Sequence, residues 1–264
     1  MPDDTTILAM CGKGGVGKTS VSALMVKLLS GQDDRKILAI DADPAVGLAT
    51  ALGITVRKTV DDIRKGLIGN IRKGEIPGNR ETLKQLDYEV FSALEEQDGF
   101  ALLAIGRPED EGCFCKVNNL LKEIISDLAV RFDIVLIDGE AGIEQINRRV
   151  MKTVDHLVLV SDTSAKGMNV AGTIAQVAKE NRAVDFRSMG LVLNRVRHQD
   201  EAEDLKARTP LDIYGTIYED DLIRSYDFRG QALTGMPGTS PAMKAVSGIL
   251  ERLNLPVRAR NSQK

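Results

Sequence analysis

Short runs of apolar residues recur along the chain and alternate with stretches in which apolar positions return every three or four residues. The runs predict strands at Thr6–Met10, Lys36–Asp41, Phe100–Ile105, Phe132–Asp138, His156–Ser161, Ser188–Asn194 and Ile213–Ile217. The helical spacing predicts helices at Lys18–Leu29, Asn118–Val130, Ile143–Val150, Met168–Asn181 and Glu201–Lys206. Several strands, such as "ILAM" and "IVLI", are apolar at every position. A strand reads that way when both faces of its sheet are covered, whereas a half-exposed strand alternates. Strand following helix in turn predicts right-handed βαβ units and a doubly wound, mostly parallel sheet flanked by helices.

One segment breaks the rhythm. From Arg57 to Asp98 the chain is polar, carries "GNIRKGEIPGNRE", and shows only weak helical spacing at Val60–Leu67 and Glu81–Leu94. It reads as an irregular insertion (57–98) over the strand C-termini within a single domain spanning 1–256, with 257–264 a frayed tail. The stretch "SPAMKAVSGILERLNL" is amphipathic with a mild charge pattern, as in a packing helix.

Composition narrows the function classes. Lys plus Arg (35) nearly balances Asp plus Glu (38), and the net charge of -3 lacks the basic excess of a dedicated nucleic-acid binder. No apolar segment reaches the roughly 18 residues of a membrane span, and the acidic start "MPDD" is unlike a signal peptide. Three cysteines, an odd number, form no secreted disulfide framework. The expectation is a cytoplasmic protein that needs neither membrane nor nucleic acid.

The strongest chemical signal follows the first strand. "CGKGGVGKTS" satisfies G-x-x-x-x-G-K-[ST] through Gly12, Gly17, Lys18 and Thr19. Its glycines let backbone N–H groups face phosphate oxygens, and the helix that follows directs its N-terminus at the same anion. Gly12, Lys13, Gly14, Gly15, Val16, Gly17, Lys18, Thr19 and Ser20 are therefore the expected nucleotide-binding residues. Lys18 is expected on the β- and γ-phosphates of ATP, and the Thr19 hydroxyl on Mg²⁺. One βα unit later, "ILAIDADPAVG" ends in Asp41 and Asp43, where the ligand crevice of such a sheet opens. "FDIVLIDGEAGIEQ" ends a buried strand in Asp138, a position suited to holding Mg²⁺, with Gly139 and Gly142 at a mobile turn.

The loop "KGGVGKT", with its early Lys13, resembles the deviant Walker A ATPases, among them MinD/ParA proteins and nitrogenase iron protein. The resemblance implies a single-domain α/β P-loop NTPase that dimerises on nucleotide, with Lys13 crossing to the partner's phosphates as a catalytic cation. A solvated loop lysine is the alternative. It further implies Asp43 as the residue that orients or deprotonates the attacking water, Asp41 near the Mg²⁺ shell, and Asn194 of "MGLVLNRVR" as an adenine contact. A plain strand-end asparagine is the alternative there. Gly47 stands where nitrogenase iron protein has a further acidic residue.

"GRPEDEGCFCKVNNLL" places Cys113 and Cys115 one residue apart ahead of a helical run. A tetrahedral soft-metal site needs four ligands, and a two-fold dimer would supply them as two copies of the pair. In extended backbone the two thiols share a face. A redox-labile dithiol or inert packing are the alternatives. The phosphate loop, "DADP", the C-x-C and "DGEAGIEQ" together resemble the carbon monoxide dehydrogenase maturation ATPases. That resemblance implies a homodimer holding Zn²⁺ or Ni²⁺ at a shared Cys113/Cys115 site. Its client would be nickel-containing carbon monoxide dehydrogenase or acetyl-CoA synthase. Two other readings stay open: a MinD/ParA-type positioning ATPase, and an iron–sulfur reductase like nitrogenase iron protein. Against the latter, "GIEQINRR" has no cysteine where that protein has its second cluster ligand.

Overall fold

The structure, a computed structural model, describes residues 5–32, 35–72, 80–107, 115–140, 142, 150–151, 153–181, 184–255 and 257. It is a single-domain α/β fold built on one eight-stranded sheet. In chain order the strands are β1 (Thr6–Cys11), β2 (Ile37–Asp41), β3 (Glu95–Gln97), β4 (Phe100–Ala104), β5 (Ile134–Asp138), β6 (Thr153–Ser161), β7 (Asp185–Val196) and β8 (Ile213–Tyr218). They lie in the order β3-β4-β2-β5-β1-β6-β7-β8, and every neighbouring pair is parallel except β3 with β4.

The helices among the described residues are α1 (Lys18–Ser30), α2 (Gly47–Leu52), α3 (Val60–Arg72), α4 (Arg80–Ser92) and α5 (Cys115–Ala129). They continue with α6 (Ala165–Asn181), α7 (Gln199–Arg208), α8 (Asp221–Phe228) and α9 (Pro241–Arg252). Two buried clusters cover the two sheet faces. Leu8 and Met10 of β1 join α1, α2 and α9 in one; Ile7, Ala9 and Cys11 join α3–α6 in the other. Successive residues of one strand thus enter opposite cores, the physical reason for its unbroken apolar run. The apolar side of α9 (Ala242, Met243, Val246, Ile249, Leu250) is buried as a packing helix requires.

The segment 57–98 corrects the expectation of an irregular insertion. It holds two 13-residue helices, α3 and α4, and the edge strand β3. Ile63, Leu67 and Ile68 of α3, and Leu86 and Val90 of α4, join the core beside Leu121 and Ile125 of α5. Arg64, buried in α3, donates through Nε to Asn118 Oδ1 of α5 at 3.0 Å and lies 3.4 Å from Asp61. The segment is polar on average because only one stripe of each helix faces inward.

Shorter elements escaped the sequence pattern. Helix α2 has six residues, β3 has three, and α8 buries none of its residues. None carries an apolar stripe long enough to show a period. The predicted helix Ile143–Val150 lies, up to residue 149, outside the described residues, as does the tail apart from Val257.

Candidate functional site: a phosphate loop at the strand C-termini

The C-terminal ends of β1, β2 and β5 meet in register, pairing Met10 and Asp41 each with Asp138. At this point the chain leaves β1 into the glycine loop. Gly12 has φ 151°, and a Cβ there would come 2.1 Å from the Val160 carbonyl oxygen, so no other residue fits. Gly17 ends the loop in the left-handed region (φ 93°, ψ 24°) and occupies the N-cap of α1 with no side-chain cap. The first N–H groups of α1 are therefore left to an incoming anion.

Lys18 is buried and folds back over this loop, donating to the Gly12 carbonyl at 3.0 Å and the Lys13 carbonyl at 3.2 Å. Thr19 Oγ1 donates to Asp138 Oδ2 and Ser22 Oγ to Asp138 Oδ1, both at 2.8 Å. Asp138 is fully buried. Burial pushes its carboxyl up to about 6, against the opposing donors Ser22 and Thr19 and the charge of Lys18.

The two aspartates of "DADP" part company. Asp41 is fully buried and accepts from the backbone N–H groups of Leu48 (2.8 Å), Ala49 (3.1 Å) and Asp43 (3.2 Å). Its two oxygens hold the start of α2 and the turn before it, one strand away from Asp138. Burial raises its carboxyl to about 7 despite these donors. Asp43 closes a turn onto the Ala45 N–H at 2.8 Å and lines the cavity. The loop between it and α2 contains Val46 at φ 52°, ψ 43°, a strained conformation for a β-branched residue.

A cavity of about 550 Å³ runs from Gly14, Gly17, Lys18 and Thr19 past Asn194 and Arg195 to Tyr218 and α8. The Asn194 amide donates to the Val16 carbonyl at 2.8 Å and Arg195, itself at φ 58°, to the Gly15 carbonyl at 2.8 Å. Asn194 thus braces the phosphate loop from the side, in addition to lining the cavity. Arg195, Arg197 and the acidic stretch Glu219–Asp221 on the far wall were missed by sequence reasoning. The one available signal was their position at or just after the ends of β7 and β8. Lys13, half-buried, is not among the described lining residues.

The oxygen pair of Thr19 and Asp138 suits a hard cation. Among the described residues no group of three or more Cys, His, Asp or Glu could hold a metal ion. Mg²⁺ needs only one or two protein oxygens when phosphates and waters complete its shell, so the pair fits a nucleotide-borne Mg²⁺. Cys113 lies outside the described residues; Cys115 is the first residue of α5, and its side chain lies outside them too. Cys11 is buried beside the loop, its thiol pushed up to about 12 by burial, and is inert.

Sheet order, glycine loop and the Lys18/Thr19/Asp138 cluster define a P-loop nucleotide-binding protein. The CobQ/CobB/MinD/ParA nucleotide-binding domain model matches residues 7–233, and the chain belongs to that family, whose MinD/ParA members are ATPases. The chain is 36% identical over 249 residues to an uncharacterized ATP-binding protein of Methanocaldococcus jannaschii, covering 94% of this chain and 98% of the relative. It is 28% identical over 262 residues to the carbon monoxide dehydrogenase accessory protein CooC of Rhodospirillum rubrum, covering 93% and 97%. In fold it matches the septum site-determining protein MinD of Pyrococcus horikoshii, complexed with Mg-ADP, with a TM-score of 0.69 and 21% identity over 95% of this chain and 96% of that one. No helix among the described residues is long and apolar enough to cross a membrane.

Proposed function

We propose that the chain is an ATPase that closes as a homodimer on its nucleotide and assists nickel insertion into carbon monoxide dehydrogenase or acetyl-CoA synthase. The observation that carries the nucleotide half is the convergence of Lys18, Thr19 and Asp138 on one loop at the end of a single cavity. The nickel half is supported by the similarity to the accessory protein along nearly the whole chain, and by the C-x-C leading into α5.

In this reading the loop N–H groups and the α1 N-terminus bind the phosphate oxygens, with Lys18 exchanging its two carbonyl partners for the β- and γ-phosphates. Thr19 and Asp138 would hold Mg²⁺, which when bound neutralises charge on the phosphates. Asp43 orients the attacking water at the cavity edge. The bond from water oxygen to the γ-phosphorus forms as the bridge to the β-phosphate breaks, and ADP carries the leaving electron pair. Lys13 supplies its cation to the partner's phosphates. Asn194 presents its amide to the base while bracing Val16. Asp41, beside Asp138 at the edge of the Mg²⁺ shell, also holds the Asp43 turn to α2. Cys113 and Cys115 of two protomers supply four thiolates to Zn²⁺ or Ni²⁺, the metal being cargo or its stand-in.

A membrane-positioning role of the MinD type gains no support from α9, whose apolar side is already used against α1 and β8. Anaerobic metal titration with and without ATP, followed by molecular mass, tests the proposal. One metal per two chains, tied to dimerisation and lost in Cys113→Ser with ATP binding intact, is expected. Unchanged metal content in that variant overturns the metal half and leaves the ATPase standing.

A further inference from the structure

Residues 19 and 22 of α1 lie about one turn apart and leave the same face of the helix. That face meets the end of β5, where the two hydroxyls take the two oxygens of one carboxylate: Thr19 on Oδ2, Ser22 on Oδ1. Thr19 belongs to the phosphate-loop motif. Ser22 does not, and the function above leaves it without a role, although it is 0% exposed and donates this hydrogen bond inside the core.

The terminal torsion of an aspartate is soft, so a carboxylate keeps one orientation only if donors hold it. The charges around Asp138 pull in opposite senses. Asp41 is its register partner across β2 and β5, and Asp43 adds a further negative charge. Lys18 attracts it, but that ammonium is seated on the loop carbonyls. With Oδ1 unheld, the carboxylate is free to turn its Oδ2 edge away from Thr19.

We propose that Ser22 is a positioning residue of the nucleotide site: by holding Asp138 Oδ1 inside the core it keeps Oδ2 beside Thr19, at the phosphate end of the cavity. The proposal rests on Thr19 and Asp138 being the pair that receives Mg²⁺. It gives the motif a second hydroxyl, one turn into the helix, that never touches the nucleotide.

The test uses the full chain, wild type and Ser22→Ala, with a fluorescent ATP analogue bound first in EDTA and then across an Mg²⁺ titration. Removing the hydroxyl takes a donor from a buried carboxylate, so the variant should melt below wild type, and both proteins are compared well below the variant's midpoint, where each stays folded. Affinity in EDTA should stay within about twofold. The Mg²⁺ concentration giving half of the metal-dependent tightening should rise at least about tenfold, the usual scale for losing a group that orients a metal ligand. An unchanged Mg²⁺ response in Ser22→Ala overturns the proposal. An equal loss in EDTA and in Mg²⁺ also overturns it, since that marks a residue needed only for the loop's shape. A wild type whose affinity ignores Mg²⁺ overturns instead the reading of Thr19 and Asp138 on which the proposal stands.

Discussion

The centre of the sheet and the helical layer over its β3–β4 side are built in different ways. At the centre, β1, the glycine loop and α1 are contiguous in sequence, and each turn of backbone has a local reason: Gly12 against Val160, Gly17 in the left-handed region, Lys18 over its own loop. At the edge, α3, α4 and α5 come from separate stretches and are joined by burial of Ile63, Leu86 and Ile125, with the Arg64–Asn118 contact between α3 and α5. Chemistry at the centre is encoded residue by residue, while the edge layer is encoded by shape. Damage should therefore separate cleanly: changes at the centre remove activity and spare the fold, and changes at the edge do the reverse.

The largest effect is expected from Lys18→Ala. It should lower ATP hydrolysis at least about a hundredfold, as losing a cation aimed at transferring charge does, with far-UV circular dichroism unchanged. Phosphate release measured beside the unfolding midpoint checks this; a collapsed fold would erase the contrast between the two regions. Next comes Ile125→Ala in α5, fully buried in the edge layer. It should cost about 2–5 kcal/mol of stability by leaving a cavity while ATP affinity stays within about twofold. Denaturant melts and nucleotide titration on the same sample would show whether the layers are that independent.

The smallest effect sharpens the contrast within the centre itself. Burial raises the Asp138 carboxyl from 3.8 to about 6, so between those values the folded, nucleotide-free protein binds more protons than the unfolded chain. Stability from this group is present at low pH and is lost as pH rises through about 6. Asp138→Asn removes the buried charge. It should be more stable than wild type at pH 8, by on the order of 2 kcal/mol, with the difference vanishing near pH 4. Melting curves at several pH values decide it. A variant less stable at pH 8 would mean that the hydroxyl pair more than offsets burial.

The same contrast explains what could be read from the sequence. The parallel sheet, the phosphate loop and the strand-end position of Asp138 were legible because glycine geometry and unbroken apolar runs are local signals. The region 57–98 was not, because α3 and α4 hide one buried stripe in a polar average, and only contact with α5 reveals it. Asp41 illustrates a finer limit. Its place at a strand end pointed to the ligand crevice, but nothing local showed that it also accepts from the N–H groups of Leu48 and Ala49, seven and eight residues on. Asn194 likewise braces Val16, a partner 178 residues away that no spacing rule could suggest.

Asp220 carries a mechanical consequence. One of its oxygens accepts from Leu222 N at the start of α8, the other from Ala242 N at the start of α9. Helix α8 has no fully buried residue; Ile223 and Tyr226 pack partly against the core, and the Tyr226 hydroxyl donates to the Gly235 carbonyl. The cavity thus has one wall cast into the sheet and another laid on the surface, where one carboxylate sets the starts of two helices at once.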